Sequence, residues 1–493
     1  MNNLLSVALF FAIAIRALAL PSTGSNNLMT TPGVSISQSG STLTFTTPDK
    51  AILNWNNFGS GTDTIGVADT LKYALPNSGA SVLNVVVGAN NTTINGYVES
   101  NGKVFILNPN GIVIGAGARI DTAGLVLSTV DNPFAAQMKF MENGTIPSQA
   151  GSRSASGNTT INSGAILVTP NITVLTNDIT IGGVLTGGNL NVVADGAATL
   201  GAVGSTTWIS GDLVINNAGG TTTLGLPGAI VGANGNVTAT AITGNITNAA
   251  GSRVNTRNLT VQTETGNITI AATSALNVTA KGKNVSVAFD TTPNVTFNGS
   301  ATGNLTVTAP TFLTLGNVTG QSSGNYSFTS GATLTLGKVH LDVTGTTSFT
   351  GSRVVDSVDS VFVYGPTSFT ATAGDVVVTK ANHSFGPLSL SATGNATVFE
   401  AGATNLNVVN VKELAIKTGQ FFFQTPTTFS LAATKFNLTS LGNVTFLGGT
   451  ITNGLTISAG AGNVDLSKLS LATNLGGVAP TVTTTGTVTQ PAQ

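Results

Sequence analysis

The sequence predicts an all-β solenoid, and three observations predict it. Thr, Val and Ile alternate with polar residues in short runs from about Val34 onward, the pattern of half-buried strands. A tetrad, Gly-Asn-apolar-Thr, returns at Gly235-Asn236-Val237-Thr238, Gly244-Asn245-Ile246-Thr247, Gly266-Asn267-Ile268-Thr269, Gly303-Asn304-Leu305-Thr306 and Gly316-Asn317-Val318-Thr319. Charged residues are only 8 % of the 493, although 41 % are hydrophobic. The chain therefore has a core to bury and is not a charge-solvated disordered segment.

From Asn236 to Asn317 the Asn positions of these units step by 7 to 13 residues. One step is a strand plus a turn, and two steps make a repeat near 20 residues, within the range of solenoids. Gly or Asn at each corner accepts a positive φ, and the β-branched pair that follows starts a strand. Like residues then stack from rung to rung at about 4.8 Å, as Asn ladders and aromatic stacks. The 22 Phe, including Phe421-Phe422-Phe423, Phe436 and Phe446, suit the interior. Sandwich arrays and propellers would repeat on longer, domain-sized or blade-sized periods, which are not seen. The many Asn-x-Ser/Thr sequons follow from Asn turning a corner before a Thr-led strand.

Other elements depart from the repeat. Residues 1–19 read as a signal peptide, with an apolar run from Leu4 to Ile15 and the small-residue pattern Ala17-Leu18-Ala19. Asp131 to Asn158 holds Pro133, Met138, Met141 and Glu142 and reads as an excursion, with Ala135 to Glu142 able to form one or two helical turns. The expected organisation is 1–19 signal peptide, 20–200 N-terminal domain, 201–476 repeat shaft and 477–493 frayed tail.

The formal net charge is −1, which offers no electrostatic footprint for nucleic acid. Without cysteine there is no disulfide, thiol catalysis or Cys-ligated metal. Asp356 and Asp359, with Arg353 nearby, form the densest acidic stretch and read as a solvated face or corner. His383 has no matching acid in sequence and reads as a surface residue. No catalytic residue, metal site or cofactor is expected, and the chain reads as a non-enzyme.

Residues 42 to 129 carry a second, ordered set of motifs. Thr42-Leu43-Thr44-Phe45 leads through Ala51-Ile52-Leu53-Asn54-Trp55-Asn56-Asn57-Phe58 to Val82-Leu83-Asn84-Val85-Val86-Val87-Gly88 and Thr93-Ile94-Asn95-Gly96. Asn101 to Gly115 contains Leu107-Asn108-Pro109-Asn110-Gly111-Ile112, and Gly124-Leu125-Val126-Leu127-Ser128-Thr129 closes the set. Pro109 fixes its φ and biases Asn108 toward extended geometry, and Asn110-Gly111 suits a tight turn. Asn108 to Gly111 is thus first a corner.

In this order the motifs resemble the N-terminal secretion domain of filamentous-haemagglutinin-like proteins, the exported partners of two-partner secretion systems. The resemblance implies a right-handed parallel β-helix with an N-terminal cap. It also implies export through an outer-membrane β-barrel transporter with periplasmic docking domains. It places the secretion motif at Asn108, Pro109, Asn110, Gly111 and Ile112, supported by Asn54, Trp55, Phe58, Leu83, Asn84 and Gly96. One departure stands out: Val85 follows Leu83-Asn84 where the family usually carries a basic residue. The expected role is a secreted or cell-surface adhesin or binding shaft with a host-surface or glycan ligand. A β-helical carbohydrate-active enzyme and a secreted ligand scavenger on the same export domain are the alternatives.

Overall fold

The computed structural model describes residues 20–490 apart from 25, 62, 147–154, 183, 186, 291–292, 359–360, 424–430, 433–434, 441, 447–449, 452–453, 468–469 and 472–479. The expected signal segment and Asp359 lie outside the described residues.

The chain coils into a parallel β-solenoid. Among the described residues one face is a 23-stranded ladder whose parallel part begins with Ala51–Trp55, Ser81–Val86, Lys103–Leu107 and Gly124–Ser128. A second ladder starts with Thr92–Ile94 and Ile112–Ile114, paired in register as Ile112↔Thr92 and Ile114↔Ile94. A third, 7-stranded face spans Ser35–Ser39 to Val184–Leu185. It is continued by Thr206–Ile209, Ile230–Ala233 and Arg253–Asn255. Its last strand merges into the second ladder through Val254↔Thr273. From Asn277–Gly282 to Thr347–Gly351 each rung has two principal faces, and a separate third strand returns at Val361–Val363 and Ser384–Phe385. Rungs shorten accordingly: Asp212 and Asn236 are bonded across 24 residues, Asn267 and Asn284 across 17.

The cap expected at the N-terminal end is built from antiparallel pairs. Leu28–Thr30 runs against Ala51–Trp55, and Ser35–Ser39 against Thr42–Thr46. Such pairing occupies a sheet end that would otherwise offer unpaired backbone groups.

Strand alternation places one residue in two inside the coil. Leu125, Ile172, Leu190 and Leu213 form one inward column through successive pairings, each at or below 2 % exposure. Phe328, Phe349 and Phe369 stack face to face with centroids 5.3 and 5.1 Å apart, and Phe385 closes the column edge-on at 5.2 Å. Phe436 is buried as expected, whereas the side chains of Phe421, Phe422, Phe423 and Phe446 lie outside the described residues.

At the corners, Asn side chains bond from rung to rung. The amide Nδ2 of Asn277 donates to Asn258 Oδ1 (2.9 Å), and that of Asn258 donates to Asn236 Oδ1 (2.8 Å). On another edge the backbone N–H of Asn267, Asn304, Asn325 and Thr346 each donates to the Asn Oδ1 one rung earlier, at 2.8 to 2.9 Å. The Gly of the repeated tetrad serves a different purpose from the one expected. Gly235, Gly244, Gly266, Gly303 and Gly316 are not among the positive-φ residues. A Cβ on Gly244 would instead lie 1.7 Å from the Gly220 carbonyl oxygen, and one on Gly266 2.1 Å from that of Gly244. Close stacking of corners, not backbone handedness, requires glycine there.

The excursion after Thr129 contains the helix Pro133–Asn143. Asn132 caps it by accepting from the Ala135 N–H at 3.0 Å, and Gly144, in the left-handed region at φ 70, ends it. Lys50 Nζ donates to the Met141 and Glu142 carbonyls at 3.4 and 3.1 Å, satisfying the C-terminal end. Ala136 and Phe140 pack on outward residues of the long face, including Ile52, Leu83, Val85 and Phe105. The chain then rejoins the coil directly, with Leu125 paired to Ile172.

The tail corrects an expectation. Thr481–Thr483 and Val488–Thr489 pair with Gly454–Ser458 and Val464–Asp465, so the segment to Thr489 adds a rung rather than fraying. Unpaired backbone at the end of the previous rung is the physical reason.

Phe349→Ala removes the middle ring of the aromatic stack and leaves a cavity in a closed coil. It is expected to lower stability by about 3–5 kcal/mol. Denaturant melts of wild type and variant test this, and an unchanged midpoint would contradict it.

Candidate functional site: the N-terminal corner

The positions expected to carry export divide into an internal network and a surface corner. On Ser81–Val86, Val82, Asn84 and Val86 face inward while Leu83 and Val85 face out beneath the helix. Asn84 is fully buried. Its Oδ1 accepts from Trp55 Nε1 at 3.1 Å and from the Tyr73 hydroxyl at 2.8 Å, and its Nδ2 donates to the Phe105 carbonyl at 3.3 Å. Burial pushes the Tyr73 hydroxyl far above its ordinary range, so it stays a protonated donor. Trp55 meets Phe58 at 4.8 Å and Phe45 at 5.7 Å, completing an aromatic plug in the first rungs. The sequence placed Phe45 in the ordered motifs but did not single out Tyr73. Tyr73 is visible only once Thr70–Ala74 is laid beside Thr42–Thr46.

Val85 now has a reason. It is buried against Leu83 and Phe140, where an ammonium or guanidinium would be stranded without water. Asn54 sits half-buried beside it in register. Gly96 is packed so closely that a Cβ would lie 2.1 Å from the Gly66 carbonyl oxygen.

The corner Asn108 to Gly111 joins Lys103–Leu107 to Ile112–Ile114. Asn108 is fully buried and its Nδ2 donates to the Asn90 carbonyl (2.9 Å) and Thr92 Oγ1 (3.0 Å). Its Oδ1 accepts from the Asn110 backbone N–H at 3.0 Å, holding the turn closed. Asn110 is exposed, and its Nδ2 reaches back to the Gly88 carbonyl at 2.7 Å. Gly111 takes φ 135, a value that strains any residue with a Cβ. Ile112 returns to the core. The next rung seats on this corner, because Ser156 Oγ donates to the Pro109 carbonyl at 3.3 Å and the Ile112 N–H donates to the Asn158 carbonyl at 3.0 Å. Asn108 is therefore a scaffold side chain, while Pro109 and Asn110 present the corner to the exterior.

Two titratable groups depart from expectation. His383 is fully buried, not superficial, and the Asp356 side chain is 3 % exposed, not solvated. The Val361 N–H donates to His383 Nδ1 at 3.2 Å, so Nε2 carries the proton and donates to Asp356 Oδ2 at 2.8 Å. The same oxygen accepts the Thr379 and Lys380 N–H groups at 2.8 and 2.6 Å. Solenoid stacking brings Asp356 and His383 together across 27 residues, which no local pattern reveals. Both ring nitrogens are committed, which suits a structural tie. Among the described residues no group of three or more His, Asp or Glu is placed to hold a metal.

Residues 26–233 match the sequence family described as the TPS secretion domain. Those residues are thus similar to the domain that marks proteins exported by two-partner secretion. Two curated proteins share a short stretch with it. A heme/hemopexin-binding protein of Haemophilus influenzae is 41 % identical over 83 residues, 17 % of this chain and 8 % of that protein. A heme/hemopexin-binding protein from H. influenzae strain Rd is 35 % identical over 79 residues, 16 % of this chain and 8 % of that protein. The alignments thus span less than a tenth of these relatives. Among solved structures, the HMW1 secretion domain from Haemophilus influenzae matches with a TM-score of 0.25 and 15 % identity, over 83 % of this chain and 99 % of that one.

Asn84→Leu strands the Trp55 N–H and Tyr73 hydroxyl in the core. A loss of about 2–4 kcal/mol is expected, and Trp55→Phe/Tyr73→Phe should recover part of it in a double-mutant cycle. Independent, additive effects would refute the network.

Burial raises the Glu400 carboxyl to about 7, only partly offset by the Phe385 N–H that donates to it at 2.8 Å. The unfolded chain ionises at an ordinary pH, so the folded state holds the extra proton between the two values. Stability should then fall as pH rises from about 4.5 to about 7, by roughly 3 kcal/mol. Glu400→Gln should flatten this part of the stability profile, and an unchanged slope would dismiss the assignment.

Proposed function

We propose that residues 20 to about 200 are the export unit, delivered by a cleaved signal peptide to an outer-membrane β-barrel transporter with periplasmic docking domains. The rest of the coil is a secreted or cell-surface binding shaft of adhesin type and not an enzyme. The match of residues 26–233 to the TPS secretion domain carries this reading. Two relatives named as binding proteins support a binding rather than a catalytic role.

The geometry suggests a mechanism. In a solenoid each rung is stable chiefly on the rung before it, so folding must start from a few coils that hold together. The capped end, the Asn84 network and the Asn108 corner supply those coils. Asn108 sets the turn from within and the exposed Asn110 offers polar groups to a docking domain.

Co-expression with the cognate transporter, with protein measured in the medium, tests the reading. Residues 1 to about 200 should be secreted without the shaft beyond about 230. Asn108→Asp places acceptors against the Asn90 carbonyl and should reduce secretion at least severalfold, as should Asn110→Ile. Equal secretion of an Asn108→Asp/Asn110→Ile double variant would remove the corner from the mechanism. Secretion surviving deletion of residues 40–130 would sink the two-partner reading.

A further inference from the structure

Along the middle of the long face, the outward side chains fall into one column in register. Asn216 pairs with Thr240 and Thr240 with Gln262; Lys281, Ser300 and Thr319 follow, and His340 ends the run. The next residue of each strand faces inward or has a small side chain, as at Ala241, Gly282, Ala301 and Gly320. Beyond it stands a second outward row that includes Ile242, Glu264, Thr302 and Gln321. Between the two rows lies a groove of about 1270 Å³. The floor depends on glycine: a Cβ on Gly320 would lie 2.3 Å from the hydroxyl of buried Tyr326, which itself donates to the Ala301 carbonyl at 2.6 Å.

At the His340 end of the groove the lining meets two further rings. His340 meets Phe362 and Tyr364 edge-on at 5.7 and 5.8 Å, and Tyr364 is 54 % exposed. Strand pairing carries the column from His340 to Phe362, and Tyr364, two residues on and past the Leu341–Val363 pair, continues the second row. An exposed aromatic cluster beside a polar channel is costly to leave in water without use.

We infer that this groove binds an extended, uncharged glycan chain, an assignment that rests on the reading of the shaft as a binding surface. Three features select that ligand class. The column repeats donors and acceptors at the rung spacing of about 4.8 Å, close to the repeat of pyranose units in an extended chain. Six such steps, roughly 29 Å, would accommodate about six sugars. The amide and hydroxyl side chains of Asn216, Gln262, Ser300 and Thr319 both donate and accept, which matches sugar hydroxyls. Along the two rows the carboxylates of Glu264 and Asp342 are matched by the ammonium groups of Lys281 and Lys283, so the charges balance and do not select a polyanion. The Tyr364 ring offers a flat apolar face to the C–H face of a terminal sugar.

The test is calorimetric titration of the purified secreted chain with cellohexaose, xylohexaose and chitohexaose, with heparin and a soluble unstructured peptide as comparators. Saturable binding of at least one neutral hexasaccharide, with Kd at or below about 1 mM, is expected. Tyr364→Ala should weaken it at least tenfold and Gln262→Ala severalfold, with both melting like wild type. Trp208→Phe, on a strand of the third face, should leave it unchanged. Absence of binding to every hexasaccharide, binding indifferent to both groove variants, or tighter binding of heparin or the peptide would each overturn the inference. Secretion of the same variants is measured separately. A groove variant that is secreted but no longer binds supports this site, whereas failure of the wild type to be secreted counts against the export reading alone.

Discussion

The whole molecule depends on one constraint: the backbone hydrogen bonds of each rung go to the rungs on either side. A strand in this coil has no partner within its own turn, so every donor and acceptor it buries must be matched by a neighbour in register. Register then determines side-chain chemistry. An inward Phe must meet an inward Phe or something that fills its place, as Phe328, Phe349 and Phe369 do. A corner Asn must meet a group it can bond, as Asn236, Asn258 and Asn277 do. The same constraint explains the glycines, since a corner that stacks on a carbonyl oxygen has no room for Cβ.

A stack held only by neighbours has vulnerable ends and a vulnerable start. At the N-terminus the antiparallel pairs close the sheet, and the Trp55–Tyr73–Asn84 network locks the first coils through a single buried amide. The side helix covers outward Leu83, Val85 and Phe105, which would otherwise leave an apolar patch on the long face. The Asn108 corner then ties the rung behind it, at Asn90 and Thr92, to the rung ahead, at Asn158. Polar side chains do here what a hydrophobic core does in a globular domain: they make one arrangement of the chain better than its neighbours.

Farther along, the coil changes section from three faces to two. The transition occurs where the third face merges into the second ladder at Val254 and Thr273. Downstream strands lengthen, reaching Leu313–Ser322 and Thr333–Val343. Long strands present more outward positions in line, and the groove, which starts before the transition at Asn216, ends on them at Thr319 and His340. The buried tie between Asp356 and His383 follows it, at a rung whose strand is interrupted between Arg353–Asp356 and Val361–Val363. Its placement fits a polar clamp across an interruption, since Asp356 also takes the backbone N–H groups of Thr379 and Lys380.

Periodicity made much of this legible without coordinates. Alternation identifies strands because side chains change sides every residue, and the spacing of Gly-Asn units gives the rung length because each corner must return to the same edge. The Asn ladders and the corner at Asn108 to Gly111 follow from the turn chemistry of those residue types. The excursion helix was readable only as one or two turns over Ala135 to Glu142, shorter than the observed Pro133–Asn143. What remained hidden were contacts made by stacking across turns of variable length. Rungs differ by several residues, so a sequence cannot say which position lies above which. Tyr73 beside Asn84, Asp356 beside His383, Val85 beneath Phe140 and the row from Asn216 to His340 all depend on that summed register. The sequence alone determined that the chain coils and where it turns; the tertiary structure decided which side chains meet, because proximity in a solenoid is set by the accumulated lengths of its rungs.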